Sequence, residues 1–299
     1  MNAPARLSIQ GFLALLFIAC IMGANHVAAR VALDHGANVV TAVFSRSAFT
    51  ALVVATLVWW TRAALVMTAR QRRLMLAMGL LIAAQSVLLY SAVARIPVGL
   101  ALLAFNLYPL CAAVWSALLY RQRPPARVLW IIPVILFGLG LALDVASALG
   151  MSSTQAEGSL AWGVGLAVAA AVVFGVVLAI TQHEVASVDG RWRTTLSMAM
   201  VGSLALILSP ALGGLQWPTD ATGWWGLGAL SSLYGLGITL LFVILPRLGV
   251  VSNSPVLNVE PIAALLMAWG VLGQAMRPVQ WVGAGVVVAG VMALGLKRH

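Results

Sequence analysis

The feature that most constrains this chain is a series of long apolar stretches almost free of charge, separated by short breaks that carry prolines, glycines and arginines. A hydrocarbon core about 30 Å thick takes roughly 17–25 helical residues to cross. Ten stretches meet that length: 9–33, 38–60, 74–94, 97–120, 128–145, 159–182, 194–212, 223–245, 249–273 and 279–296. Of the 299 residues 62% are hydrophobic and 8% charged, whereas soluble domains carry about 25% charged residues. A water-soluble fold is therefore excluded. Lipid offers the backbone no hydrogen-bond partners, and helices satisfy their own. The expected fold class is all-α integral membrane, with ten transmembrane helices. The first stretch runs on to Leu33, too long for the core of a signal peptide, and is read as the first membrane helix.

Orientation follows from the basic residues, which cytoplasmic loops retain. With the N-terminus inside, 13 of the 17 Lys and Arg residues fall on the inner side, Arg95 and Arg277 fall outside, and Arg30 and Arg46 lie within spans. Both termini are expected in the cytoplasm, with the chain a multi-pass protein of a bacterial inner membrane. Arginines dispersed between apolar runs form no stripe for nucleic acid. Cys20 and Cys111 lie inside apolar stretches, so neither a disulfide framework nor a metal site with ligand spacing is available.

The chain also resembles itself. At a shift of 152 residues Arg95 meets Arg247, Asn106 meets Asn258, Pro109 meets Pro261, and Gly11, Ala19 and Gly23 meet Gly163, Ala171 and Gly175. Leucine matches would mean little here, but Arg, Asn and Pro are uncommon in membrane helices. Each copy holds five spans, and an odd number turns the second copy upside down, the inverted-repeat architecture of many secondary transporters. The expected organisation is a first five-helix repeat over 1–147, a connecting loop over 148–158 and a second, inverted repeat over 159–299.

Charge at the bilayer centre costs at least about 2.5–3.5 kcal/mol and calls for a partner, a wet cavity or a function. Arg46 and Glu260 fall roughly 12 and 15 Å from the nearer end of their spans at 1.5 Å per residue, close to the midplane. Arg46 suits a substrate carboxylate and Glu260 an ammonium or a proton; the two could instead pair with each other. Asn106 and Asn258 sit three residues before prolines that free a backbone carbonyl one turn earlier, so each site offers bent helix and amide together. Tyr108 is the repeat partner of Glu260, and Gln85, Tyr90 and Tyr234 also lie within spans. These eight residues are the candidate substrate ligands. His26 and Arg30 near the outer end of the first span, and His183 at the inner end of the sixth, read as interfacial groups. The glycines and serines of the eighth span, Gly226 to Gly237, read as close helix packing.

Gly23-Ala24-Asn25 with Arg46, the two Asn-x-x-Pro pairs and the closing Gln280-Trp281-Val282-Gly283 to Gly290 stretch carry a resemblance. In these the chain resembles the drug/metabolite transporter superfamily, in its ten-helix branch of paired EamA-type repeats. Met22 stands where that family usually has Trp, and Arg121 and Gln274 stand where each repeat often ends in Glu. The resemblance implies export of small metabolites, amino acids prominent among them, with aromatic amino-acid exporters of YddG type the first members to compare. It implies a small-molecule substrate, with a proton as possible co-substrate, and no cofactor. The alternatives are a noncatalytic scaffold or lipid-flipping protein, and an intramembrane enzyme, which would need clustered His, Asp or Ser groups that the spans lack. No P-loop is present to make ATP the direct driver.

The charge asymmetry makes a direct prediction. In a cysteine-free background, a Cys placed at Arg72 stays unlabelled by an impermeant maleimide in intact cells and labels after permeabilisation; labelling from outside overturns the orientation.

Overall fold

The computed structural model describes residues 9–96, 98–122, 126–142, 154–248, 254–272 and 277–295. The described chain is helical throughout, without a strand: α1 (Ile9–Asp34), α2 (Val39–Trp60), α3 (Ala69–Arg95), α4 (Val98–Phe105), α5 (Tyr108–Tyr120), α6 (Ala126–Ala142), α7 (Thr154–His183), α8 (Gly190–Leu208), α9 (Ala221–Leu248), α10 (Glu260–Leu272) and α11 (Pro278–Gly295). A 3₁₀ turn (Ser209–Leu212) follows α8, and a 3₁₀ segment (Ser254–Val259) leads into α10. Polar residues set the starts. Asn38 accepts from the Thr41 amide, Thr68 and Gln71 cap α3 reciprocally, and Asp189 accepts from the Arg191 amide. The Arg191 side chain also binds Asp189, and these hydrogen bonds hold its carboxyl below the usual carboxylate range.

Six helices among the described residues are long and apolar enough to cross a membrane: Ile9–Asp34, Val39–Trp60, Ala69–Arg95, Ala161–His183, Gly190–Leu212 and Ala221–Leu248. The other four expected spans contain shorter apolar helices. For two of them the reason is local. The 97–120 stretch breaks at Asn106-Leu107, between α4 and α5, because Pro109 has no N–H to donate back into the preceding turn. Its repeat mate breaks in the same place, where the 3₁₀ segment ends and Glu260-Pro261 opens α10. Such discontinuous helices put helix N-termini in the middle of a bundle.

Packing repeats the symmetry of the sequence. α1 lies chiefly on α9 and α3 on α7, α2 on α8 and α6 on α11, and α5 packs on α7 as α10 packs on α1. Exchanging the halves maps this set of contacts onto itself. Two glycines related by the 152-residue shift make the closest approaches possible. A Cβ on Gly23 would lie 2.7 Å from the Glu260 carbonyl oxygen, and one on Gly175 would lie 2.8 Å from the Ala112 amide nitrogen. Each glycine thus seats an unbroken helix against the first turns of the helix that follows a break. Outward faces are apolar, and Trp59, Trp60, Trp130 and Trp225 project with about four-fifths of their surface free, as at a membrane interface.

A buried cation ties the start of α8 to the last turns of α9. Pro246 lies inside α9 and cannot bond the Phe242 carbonyl one turn earlier. Arg193 of α8, 2% exposed, donates to that carbonyl and to the Val185 carbonyl in the loop that follows α7. The guanidinium therefore replaces the hydrogen bond that proline removes. Arg193→Met will lower the thermal midpoint in detergent, at about 1–3 kcal/mol for each orphaned carbonyl. In a Pro246→Ala background, where the new N–H serves Phe242, the loss should shrink by one carbonyl's share; equal losses in both backgrounds would contradict this assignment.

Candidate functional site

The two breaks, α1, α2, α3 and α9 converge on a buried polar chamber. Its cationic side is Arg46 on α2, 2% exposed. The Arg46 guanidinium donates through Nη1 to the Tyr90 hydroxyl at 3.2 Å and through Nη2 to Ser86 Oγ at 2.6 Å. Ser86 and Tyr90 are one turn apart on α3 and so present a single face to it. Its Cζ lies 3.7 Å from the ring centroid of Tyr234 on α9 and 4.5 Å from that of Tyr90. Both contacts are cation–π stacking. Every partner is neutral, and Nε has none. Among the described residues no carboxylate lies within ion-pair distance of Arg46.

The acidic side is Glu260, the first residue of α10, where the helix N-terminus favours a negative charge. Its Oε1 lies 2.8 Å from His26 Nε2 on α1, with both side chains almost wholly buried. The other ring nitrogen, Nδ1, has no partner. Tyr90 spans the two sides: its hydroxyl reaches Asn25 Oδ1 at 3.4 Å, and its ring centroid lies 6.0 Å from that of His26.

Between the sides lies a cavity of about 40 Å³, lined by His26, Arg46, Gln85, Tyr108, Tyr234 and Glu260 with an apolar wall that includes Phe105 and Phe174. Phe105, Tyr108 and Phe174 form a ring cluster with centroids 5.2–5.6 Å apart. This volume holds about one water molecule, far less than the roughly 300–1,000 Å³ of a small-molecule site. The chamber is closed down on its own side chains. A larger cleft of about 800 Å³ lies at the C-terminal end of α2 among Trp59, Trp60 and Trp192. It gathers indole and aliphatic groups around Arg62 and lacks convergent polar groups.

Of the eight residues singled out from sequence, Arg46, Gln85, Tyr108, Tyr234 and Glu260 line the cavity, and Tyr90 supports Arg46. Asn106 and Asn258 are buried at the helix breaks outside the lining. Asn106 donates its amide to the Leu102 carbonyl at 2.6 Å. Arg46 and Glu260 do not pair. The reading of His26 as interfacial is corrected, since it is 2% exposed and holds Glu260. Ser86 was missed; its signal was the four-residue spacing to Tyr90. His183 stacks on Tyr120 at 4.2 Å, and Arg30 pairs with Asp34 at 2.9 Å, both away from the chamber.

Six helices long and apolar enough to cross a membrane, packed around a buried polar chamber, define an all-helical membrane protein. The family is then plain: the EamA-like transporter family matches residues 9–143 and again 161–296, and the chain belongs to it. It is a membrane transporter of small molecules, of a family whose members are not enzymes. A solved crystal structure, titled only as that of a protein, shares the fold at 17% identity with a TM-score of 0.73, over 96% of this chain and 98% of that one. No curated protein matches the sequence.

Arg46 bonds two side-chain hydroxyls and no backbone group, so its removal orphans less of the buried main chain than removal of Arg193 does. Arg46→Met should remove substrate-induced stabilisation while lowering the thermal midpoint of the purified protein less than Arg193→Met does; an equal or larger fall would make Arg46 a structural element like Arg193.

Proposed function

We propose that the protein is a secondary transporter that exports small metabolites carrying a carboxylate, most of all amino acids, by alternating access to the central chamber. The observation that carries this reading is the buried Arg46, held by neutral hydroxyls and aromatic rings and left without a carboxylate. A planar guanidinium in that state is a site for an incoming carboxylate. Glu260 stands opposite for an ammonium, and the Phe105, Tyr108 and Phe174 cluster suits an apolar or aromatic side chain. That last feature favours an aromatic amino acid of the kind YddG-type exporters carry. In this reading Arg46, Gln85, Tyr90, Tyr108, Tyr234 and Glu260 contact or support the substrate, and Asn106 and Asn258 keep the breaks open.

The contact pattern that survives exchange of the halves supports two inverted five-helix repeats, 1–147 and 159–299, joined by a loop. The four shorter helical segments complete ten spans in this arrangement. Both termini lie in the cytoplasm of a bacterial cell, and the inner membrane is the site of action. A lipid-flipping or scaffolding role gives no reason for an arginine and a glutamate kept apart on opposite sides of one chamber.

Flux from proteoliposomes loaded with a panel of amino acids, their amides and the matching amines tests this function. Wild type should carry the amino acids and largely ignore the amides. Arg46→Lys, which keeps the charge but loses the planar fork, should cut carboxylate flux about ten-fold or more while leaving the amount of folded protein unchanged. Equal flux of acids and amides would sink the proposal.

A further inference from the structure

The His26–Glu260 pair has a consequence beyond holding an ammonium. Its members are 2.8 Å apart, buried, and open to the same cavity as Arg46. Among the described residues, the other titratable groups that face the cavity or touch the pair are Arg46 of α2, Tyr90 of α3, Tyr108 of α5 and Tyr234 of α9. Phenols do not ionise near neutral pH. The charge of the chamber is therefore set by three groups: Arg46, which stays protonated, and the two members of the pair. With Glu260 ionised and His26 neutral, the pair balances Arg46 and the chamber carries no net charge. Net charge in a dry cavity is costly, so whatever enters has to keep this balance.

We propose that His26 and Glu260 together form a proton-binding site whose occupancy follows the charge of the substrate. A substrate that brings a carboxylate alone is accompanied by one proton onto the pair, and a zwitterion, whose ammonium takes that place, is accompanied by none. This rests on Arg46 being the carboxylate anchor. The proton comes from water and no other bond changes. It completes an imidazolium–carboxylate pair, with one N–H of His26 facing Glu260 Oε1 and the other at Nδ1, the nitrogen that has no partner. Export of a monoanion is then proton-coupled, and export of a zwitterion is not.

Two probes with one carbon skeleton test this on the purified full-length protein: phenylalanine, a zwitterion at neutral pH, and 3-phenylpropionate, which lacks the ammonium. Proton uptake on binding is read with a pH indicator in weak buffer, and Kd is measured between pH 6 and 8. The expected result is one proton per bound 3-phenylpropionate, with Kd weakening by up to about ten-fold per pH unit as pH rises. Phenylalanine should bind with no proton uptake and a nearly flat Kd. Glu260→Gln removes the balancing charge, so 3-phenylpropionate should bind it without a proton at every pH, while phenylalanine binding weakens. His26→Gln gives a second handle should Glu260→Gln not fold: uptake with 3-phenylpropionate at neutral pH should fall below one. Equal proton counts for both probes in wild type overturn the inference and leave the transporter reading standing. If neither probe nor any other carboxylate of the panel binds, the Arg46 reading falls and this inference with it.

Discussion

A backbone that leaves the helix inside a membrane has to be covered by protein, because lipid supplies no donor or acceptor. The two breaks before Tyr108 and Glu260 meet that demand in one way. Gly175 lets α7 close over the start of α5, and Gly23 lets α1 close over the start of α10. Without a side chain at either glycine, the cover is backbone against backbone. Once covered, the breaks leave two helix N-termini in the bundle interior, one of which holds the carboxylate of Glu260. The rest of the chamber is assembled around that geometry.

The two buried arginines separate structure from function by the chemistry of their partners. Arg193 spends its N–H groups on the Phe242 and Val185 carbonyls, and one of these has lost its own donor to Pro246. It is a replacement for a missing backbone hydrogen bond. Arg46 meets only hydroxyls and ring faces, partners that satisfy some of its donors and none of its charge. Nε is without a partner in both, so what distinguishes them is that Arg193 serves backbone carbonyls while Arg46 faces a cavity. The cavity beside Arg46, about 40 Å³, admits little more than water.

Much of this was legible in the sequence because local chemistry determined it. The apolar stretches located the helices, the 152-residue shift located the symmetric breaks, and rarity of charge in the spans pointed to Arg46 and Glu260. What stayed hidden depended on contacts across the fold. His26 and Glu260 are 234 residues apart, and no periodicity in α1 separates a buried histidine from an interfacial one near a span's end. Asn106, a candidate substrate ligand from sequence, donates its amide to the carbonyl one turn earlier and keeps its Oδ1 without a partner, a local bond that spacing does not reveal. Two of the apolar stretches, 97–120 and 249–273, are interrupted at their prolines, which a hydropathy window does not see because it sums apolar residues regardless of where the helix breaks.

The account turns on Arg46 meeting a substrate carboxylate. Solid-state NMR on the reconstituted protein, with ¹⁵N-labelled arginine and a bound amino acid ¹³C-labelled at its carboxyl carbon, measures that contact directly. A bidentate pair places the carboxyl carbon about 4 Å from the guanidinium nitrogens, so strong dipolar dephasing is expected in wild type and its loss in Arg46→Lys. Dephasing that is absent in wild type with substrate bound, or that persists unchanged in Arg46→Lys, would contradict the account.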